Sequence, residues 1–516
     1  MRLGIDVGGT NTDVVLLNGT NVVAADKSPT TQDVTSGIRD GIEKVLKSAP
    51  GACIDMVVIG TTHFINAVTQ AKGLARTASI RLATPPQTIM PLTDWPKQLV
   101  DACNGGTHII RGGTQFDGRP LDALDEVALR NLAQTFSDQG IDHVAITGTF
   151  SPLNEEDEQR AAAILTAAAP GLSVSVSHEI GRVGLLGREN STVLNESLRP
   201  LAARVSAAFT EVLTGASVDA PVFITSNDGT LMTLDQVEKY PIFAIGSGPT
   251  NSMRGASALC NLDHHAAAIV VDVGGTTTDI GLLRDGFPRE STVSVNLGGV
   301  RSNFRMPDVV SIGIGGGSIV DETTGVVGPM SVGYRLTREA RVFGGRTLTL
   351  TDVAVAAGLV EIGDVNAVRD VSPDLVQRSL AYVRKEINAL VEQTKLSADQ
   401  VVVAVVGGGA PLVAPLIDDQ TDVPNQPGSA NAVGAGIAMA GGEVDRIEPL
   451  AGTSREEILA CARADAHQRA VAAGADPDTV RVIDEEYTPL SHLPGGVATR
   501  VRVRAVGDMR LEGALL

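Results

Sequence analysis

Twelve residues beginning at Asp6, DVGGTNTDVVLL, recur from Asp272 as DVGGTTTDIGLL, identical at nine of the twelve positions. Each copy follows a short apolar run, so Asp6 and Asp272 are predicted where a buried strand meets a glycine turn. The chemistry suited to this pattern is the binding of a polyphosphate with its metal ion. Gly8, Gly9, Gly274 and Gly275 have no Cβ and let backbone N–H groups approach phosphate oxygens. The hydroxyls of Thr10, Thr12, Thr276 and Thr278 add donors without negative charge. Asp6 and Asp272 are the expected metal residues, holding Mg²⁺ through water, because that ion keeps much of its hydration shell and takes one or two carboxylates. Either turn alone also suits a plain hairpin, with Asp and Gly there for backbone shape. Turn propensity fixes two or three positions, however, and a repeat this long points to two loops that face each other as a clamp.

Further polar groups surround these turns. Gly60-Thr61-Thr62 ends an expected strand, and the following His63 is a candidate proton carrier, since an imidazole titrates near neutrality; a hydrogen-bonded loop histidine is the alternative. Gly246-Ser247-Gly248-Pro249 precedes an Ala-rich helix over 251–259, whose free N–H groups suit an anion. Ser226-Asn227-Asp228-Gly229 forms a polar turn after a strand. The glycines of SIGIGGGSI at 311–319 overlap a dinucleotide fingerprint superficially, but lead into a strand-like segment rather than a helix. Arg254, Arg301 and Arg305 are candidates for local attraction of an anion. Glu155, Glu156 and Asp157 read as acidic residues at a helix N-terminus, and the neighbours His178 and Glu179 as a structural pair.

The elements that position these groups follow from periodicity. Strands are expected over 3–7, 14–17 and 22–25, then a helix over 34–46 and a strand over 55–59. An inserted subdomain is expected over about 76–180, with helices over 122–139 and 154–169 and strands over 143–147 and 174–176. A second half begins with a strand over 221–225. It ends on an apolar strand over 401–406, which enters Gly407-Gly408-Gly409, and on a small-residue helix over 431–440. A helix over 454–473 and strands over 480–484 and 497–506 suggest a small α/β appendage. The expected division is 1–200, 201–445 and 446–516.

The 516 residues are 43% hydrophobic and only 3% aromatic, which suits two or three domains with cores of Ala, Val, Leu and Ile. A formal net charge of −19 argues against nucleic acid as a partner. Cys53, Cys103, Cys260 and Cys461 are scattered without metal or disulfide spacing. With a start that enters a strand directly and no long apolar run, the expectation is a cytoplasmic protein without membrane association.

Duplicated DxGGT turns in two halves of one chain resemble the actin, sugar kinase and Hsp70 ATPase superfamily. Within it the sequence is similar to the hydantoinase/oxoprolinase family, A-type subunit. The supporting segments, in order, are GIDVGGTNTDVV at 4–15, IGTTHFINAV at 59–68, ITSNDGT at 224–230 and GSGPTNSMRGA at 246–256. VDVGGTTTDIG at 271–281, SIGIGGGSI at 311–319, VGPMSVG at 327–333 and VGGGAPLVAP at 406–415 complete them.

The resemblance implies an α/β fold of duplicated ribonuclease-H-like halves, ATP and Mg²⁺ as cofactors, and Gly407, Gly408 and Gly409 beneath the adenosine. It implies ATP-dependent opening of a cyclic amide, of hydantoin, oxoproline or lactam type, by phosphorylation of the amide oxygen. Asp6, Asp272 and His63 are then the catalytic candidates, with Asp13 and Asp279 secondary. A separate B-type subunit is the expected partner, and a homo-oligomer is compatible. Two departures stand out: the family has His before Gly-Thr-Thr, where this chain has Ile59, and YRLTREARVFGG replaces a Pro-Gly-Pro-x-Cys-Tyr-Gly pattern. A small-molecule kinase or an ATP-dependent carboxylase subunit remains the alternative.

Overall fold

The computed structural model describes residues 1–8, 11–29, 34–182, 184–291, 295–304, 306–396, 401–449, 453–490 and 498–510. Gly9, Thr10 and Arg305 therefore lie outside the described residues.

A six-stranded sheet carries the first motif. Its order is Leu231–Thr233, Val222–Thr225, Met56–Thr61, Arg2–Val7, Asn11–Asn18, Asn21–Pro29. Arg2–Val7 is buried from Leu3 onward because both faces of the sheet are covered, so its apolar run is continuous rather than alternating. It pairs antiparallel with Asn11–Asn18 and parallel with Met56–Thr61, which in turn runs parallel to Val222–Thr225. The carboxyl ends of three parallel strands consequently share one edge.

A second sheet repeats this plan around the second motif. Ala267–Val273 pairs antiparallel with Thr278–Arg284 and parallel with Val402–Val406. Two helices lie between the sheets, Ser247–Leu259 and Ala430–Gly436. One core cluster joins Met253, Ala256 and Ala430 to Val270 and Ala404 of the second sheet, while another joins Ala432 and Val433 to Val15 and Leu17 of the first.

Small residues make that close approach possible. A Cβ on Gly255 would lie 1.8 Å from the Ala430 carbonyl oxygen, and one on Gly434 would lie 1.8 Å from that of Asn251. The small-residue helix expected over 431–440 is thus shorter, and packs on another helix as well as on a sheet. An added methyl there costs about 1–3 kcal/mol through forced separation.

Between the motifs, Asn104–Ile110, Thr77–Leu82, His143–Gly148 and Ser173–Val176 form a four-stranded parallel sheet in that order. Its helix Glu126–Gln139 starts later than the periodicity suggests, because the Asp125 side chain accepts from the Ala128 N–H and caps it there.

At the other end, Ala440–Pro449, Ala498–Gly507 and Arg481–Leu490 make an antiparallel sheet. Ala462, Ala466 and Ala470 of the helix Arg455–Ala472 share a core cluster with Val501 and Val503 of that sheet. The strand Ala440–Pro449 was not evident in the sequence, where its Gly-Gly start and charged residues hide the alternation. It runs through the expected boundary at 445. No helix among the described residues is long and apolar enough to cross a membrane.

Candidate active site

Both motif turns are built alike. The Gly8 N–H donates to the Asn11 carbonyl at 3.0 Å and the Gly274 N–H to the Thr277 carbonyl at 2.9 Å. Antiparallel register then sets Asp6 opposite Asp13 and Asp272 opposite Asp279. Opposed residues project from the same face, so each hairpin presents two carboxylates at its turn.

The two halves bring these carboxylates into one electrostatic cluster. Burial lifts Asp6 to about 8, with repulsion from Asp13 and Asp272 adding to it. Burial lifts Asp272 to about 6, against the pull of a hydrogen bond from the Ser252 hydroxyl. Asp6 Oδ1 is buried with no hydrogen-bond partner among the described residues, as is Asn251 Oδ1. Buried and half-buried carboxylates whose charges raise Asp6 and Asp272, with an oxygen left unpartnered, fit a divalent cation, which removes the repulsion and takes the free lone pairs.

Glycines hold this space open. A Cβ on Gly60 would stand 2.6 Å from Asn251 Nδ2 and 3.1 Å from Asp6 Oδ1. A Cβ on Gly407, at φ +87°, would stand 2.3 Å from Asp272 Oδ1. Gly407 thus backs the carboxylate itself, whereas Gly408 has no atom near its vacant Cβ position and borders open space. Gly409 packs on Val273. Gly275 and Thr276 are exposed and Gly274 half-buried, as a turn that receives a ligand requires.

Other expected residues turn away. Thr12 is wholly buried, and Thr278, its counterpart, donates its hydroxyl to the Ile314 carbonyl at 2.6 Å. These hydroxyls sit at the base of the hairpins, one strand position from the carboxylates and hence on the opposite face, so the expectation that they point at phosphate is corrected. Arg254 is also corrected: its guanidinium lies over the Phe287 ring at 3.9 Å and donates to the Gly286 carbonyl, away from the carboxylates. Arg301 is exposed on the short strand Val300–Ser302. His63 bonds the Thr61 hydroxyl through Nδ1 and meets the Phe209 ring edge-on at 6.4 Å between centroids. Burial lowers its pKa, which favours a neutral ring.

The acidic run also has another role than helix capping. Glu158 is completely buried, accepting from His178 at 2.6 Å and from the Ser177 hydroxyl, while Asp157 accepts from the Gly113 N–H at 2.7 Å. Glu155, at the cap position, makes no side-chain cap bond. His178 and Glu179 likewise part company, with Glu179 bonding Tyr240 at 2.8 Å.

Two groups were missed, and a third was singled out without its structural role. Lys27 stands opposite Asp13 on the third strand of the first sheet and pairs with it at 2.9 Å, lowering Asp6, Asp13 and Asp272 alike. A Cβ on Gly428 would lie 3.9 Å from both its ammonium and Gly408 Cα, so this cation reaches the Gly408 turn. The strand alternation placing Lys27 beside Asp13 was legible; its position between the halves was not. Asn251 and Ser252 are consecutive residues of the helix Ser247–Leu259, and bond Thr225 and Asp272. Finally, the glycines of 311–319 brace the second turn: the Gly316 and Gly317 N–H groups donate to the Gly274 and Gly275 carbonyls at 3.0 and 2.7 Å.

Comparison with known proteins agrees with this architecture. Residues 2–169 match the hydantoinase/oxoprolinase N-terminal region and residues 188–366 match hydantoinase/oxoprolinase. Caprolactamase subunit alpha of Pseudomonas jessenii is 30% identical over 393 residues, covering 70% of this chain and 55% of the relative. The acetophenone carboxylase gamma subunit of Aromatoleum aromaticum is 25% identical over 396 residues, 69% of this chain and 53% of the relative. The chain thus spans about half the length of these curated relatives. The crystal structure of ATP-dependent caprolactamase from Pseudomonas jessenii superposes with a TM-score of 0.78 at 21% identity, covering 99% of this chain and 88% of that one, which shows a shared fold. By these two adjoining matches the chain belongs to the hydantoinase/oxoprolinase family.

Proposed function

We propose that this chain is the ATP-binding, A-type subunit of an enzyme that opens a cyclic amide of hydantoin, oxoproline or lactam type. The observation that carries this reading is the meeting of two like hairpins, with Asp6 and Asp272 in one electrostatic cluster beside Lys27. Its two sheets are the duplicated ribonuclease-H-like halves of an actin-type ATPase. Asp6 and Asp272 hold Mg²⁺, which neutralises phosphate charge when bound. The turns at Gly8, Gly9, Thr10 and at Gly274, Gly275, Thr276 cradle the phosphates, and Lys27 supplies the positive charge expected of an arginine. Gly408 leaves room for the adenosine, with Gly407 and Gly409 shaping the turn.

Lactam resonance resists water, and phosphorylating the amide oxygen converts the ring carbon into an activated imidate carbon. The protein's part in such a transfer is to align donor and acceptor and to offset oxygen charge. A B-type chain is the proposed partner, in keeping with the subunit names of the relatives.

A second reading, an ATP-dependent carboxylase subunit, is favoured by the acetophenone carboxylase relative. Mass spectrometry of lactams, hydantoins, and ketones with bicarbonate, each with and without ATP and a B-type chain, separates the two. Ring-opened acid formed only with ATP supports the first reading. Carboxylated ketone supports the second, and a phosphorylated but unopened ring would instead mark a kinase.

A further inference from the structure

Three strands of the first sheet end in one row. Asp6 of Arg2–Val7 stands in register with Gly60 of Met56–Thr61, and Ile59 with Ile224 of Val222–Thr225, which sets Thr225 beside Gly60. Residues in register on parallel strands project from the same face. The side chains of Asp6 and Thr225 therefore flank a gap that Gly60 leaves, and all three residues are buried.

That gap is filled from the helix Ser247–Leu259. A Cβ on Gly60 would meet Asn251 Nδ2 at 2.6 Å, Asp6 Oδ1 at 3.1 Å and Thr225 Oγ1 at 3.6 Å. The Asn251 side chain, wholly enclosed, thus takes the place that a side chain at Gly60 would occupy. Its Nδ2 donates to the Thr225 hydroxyl at 2.9 Å, which fixes the amide plane and leaves Oδ1 buried beside Asp6 with no partner among the described residues. The next residue, Ser252, donates to Asp272. Successive positions on a helix are about 100° apart, so adjacent side chains of one helix reach both halves, Ser252 the second carboxylate and Asn251 the surroundings of the first.

A side chain that only braced the helix would be satisfied by the Thr225 bond, with its oxygen turned to another donor. An amide oxygen left unbonded inside a protein is unfavourable unless a ligand supplies the donor. A hydrated divalent ion does so: its waters are donors, and the acceptors that orient them belong to the surrounding protein. We propose that Asn251 is a positioning residue for the divalent ion, its Oδ1 accepting a hydrogen bond from a water of the ion's shell while Asp6 supplies the charge. Thr225 holds the amide in the accepting orientation, and Gly60 keeps the space that any side chain there would close. The inference rests on the reading of Asp6 as a residue that holds the ion.

Binding of Mn²⁺ to the full chain, read without turnover from the paramagnetic resonance of the free ion, tests this with and without AMP-PNP. Two substitutions serve. Asn251→Leu keeps the volume and removes both polar atoms, whereas Asn251→Asp keeps an oxygen in place and adds charge. Mn²⁺ affinity at least about tenfold lower in Asn251→Leu, the scale on which outer-shell partners of a metal act, with affinity equal to or above wild type in Asn251→Asp, supports the proposal. A smaller loss in Asn251→Leu, any loss in Asn251→Asp, or no uptake by the wild type in either condition overturns it. Should melting curves show Asn251→Leu unfolded, Asn251→Asp decides alone: tighter binding sustains the proposal, and equal or weaker binding overturns it. Asp6→Asn reads the underlying assignment separately. Uptake retained in that variant removes the metal site itself, whereas uptake lost there beside an indifferent Asn251→Leu removes only Asn251.

Discussion

The Asp6 and Asp272 hairpins share a sequence, a turn hydrogen bond and a register, yet their carboxylates live in different surroundings. Asp272 accepts the Ser252 hydroxyl, and its neighbour Asp279 accepts that of Ser311. Asp6 keeps an unpartnered oxygen, and its neighbour Asp13 is paired with Lys27. Burial raises both, to about 8 for Asp6 and about 6 for Asp272. The repeated motif gives the same backbone twice, and the neighbouring strands and helix make the copies unequal. The second carboxylate is held in place by a neutral donor, whereas the first has an oxygen with no partner among the described residues.

That comparison can be broken most sharply by charge removal. Asp6→Asn and Asp272→Asn nearly preserve shape, and each is expected to lower Mg-ATP turnover by at least about 10³-fold, as losses of fixed electrostatic stabilisation do. Retention of turnover in either, measured by ADP release, would remove that residue from the site.

Lys27→Met should act more mildly. Nucleotide binding is expected to weaken about tenfold to a hundredfold, the scale of a lost charge-assisted hydrogen bond of about 1.5–3 kcal/mol. Unaltered affinity by calorimetry would leave Lys27 as a partner of Asp13 alone.

The smallest effect concerns stability without metal. A carboxyl raised in the fold stays protonated where the unfolded chain has ionised, so stability falls as pH climbs from near 4 towards the folded value. For Asp6 that window extends to about 8, and for Asp272 to about 6. The melting temperature in EDTA should therefore drop by a few degrees across it. Asp6→Asn should reduce the slope over the whole window and remove it above pH 6, whereas Asp272→Asn should reduce it only below pH 6. Equal slopes above pH 6 in the two variants would contradict the asymmetry between the hairpins.

Much of the carboxylate site was legible. Strand spacing and glycine turns located Asp6, Asp272 and the Gly407 turn, because these features are local: a run of buried residues ending in residues that tolerate unusual φ. Thr12 and Thr278 were misread because alternation alone did not say which face of each hairpin met the ligand. His178 was read with its chain neighbour Glu179, since nothing local tells that Glu158, across a helix and a strand, is the carboxylate that reaches it. The strand Ala440–Pro449 was hidden for a related reason. Its charged residues are held by ion pairs with Arg182, Arg500 and Arg502, which stand far away in the chain.

By itself, then, the sequence determined the repeated strand–turn–strand units, their glycines and their carboxylates, because those depend on backbone sterics and on the period of burial. Tertiary structure alone decided that the units meet and that Lys27 and Ser252 stand against them. Such proximity is set by the packing of Gly255 and Gly434 between two sheets, and no short stretch of chain contains it.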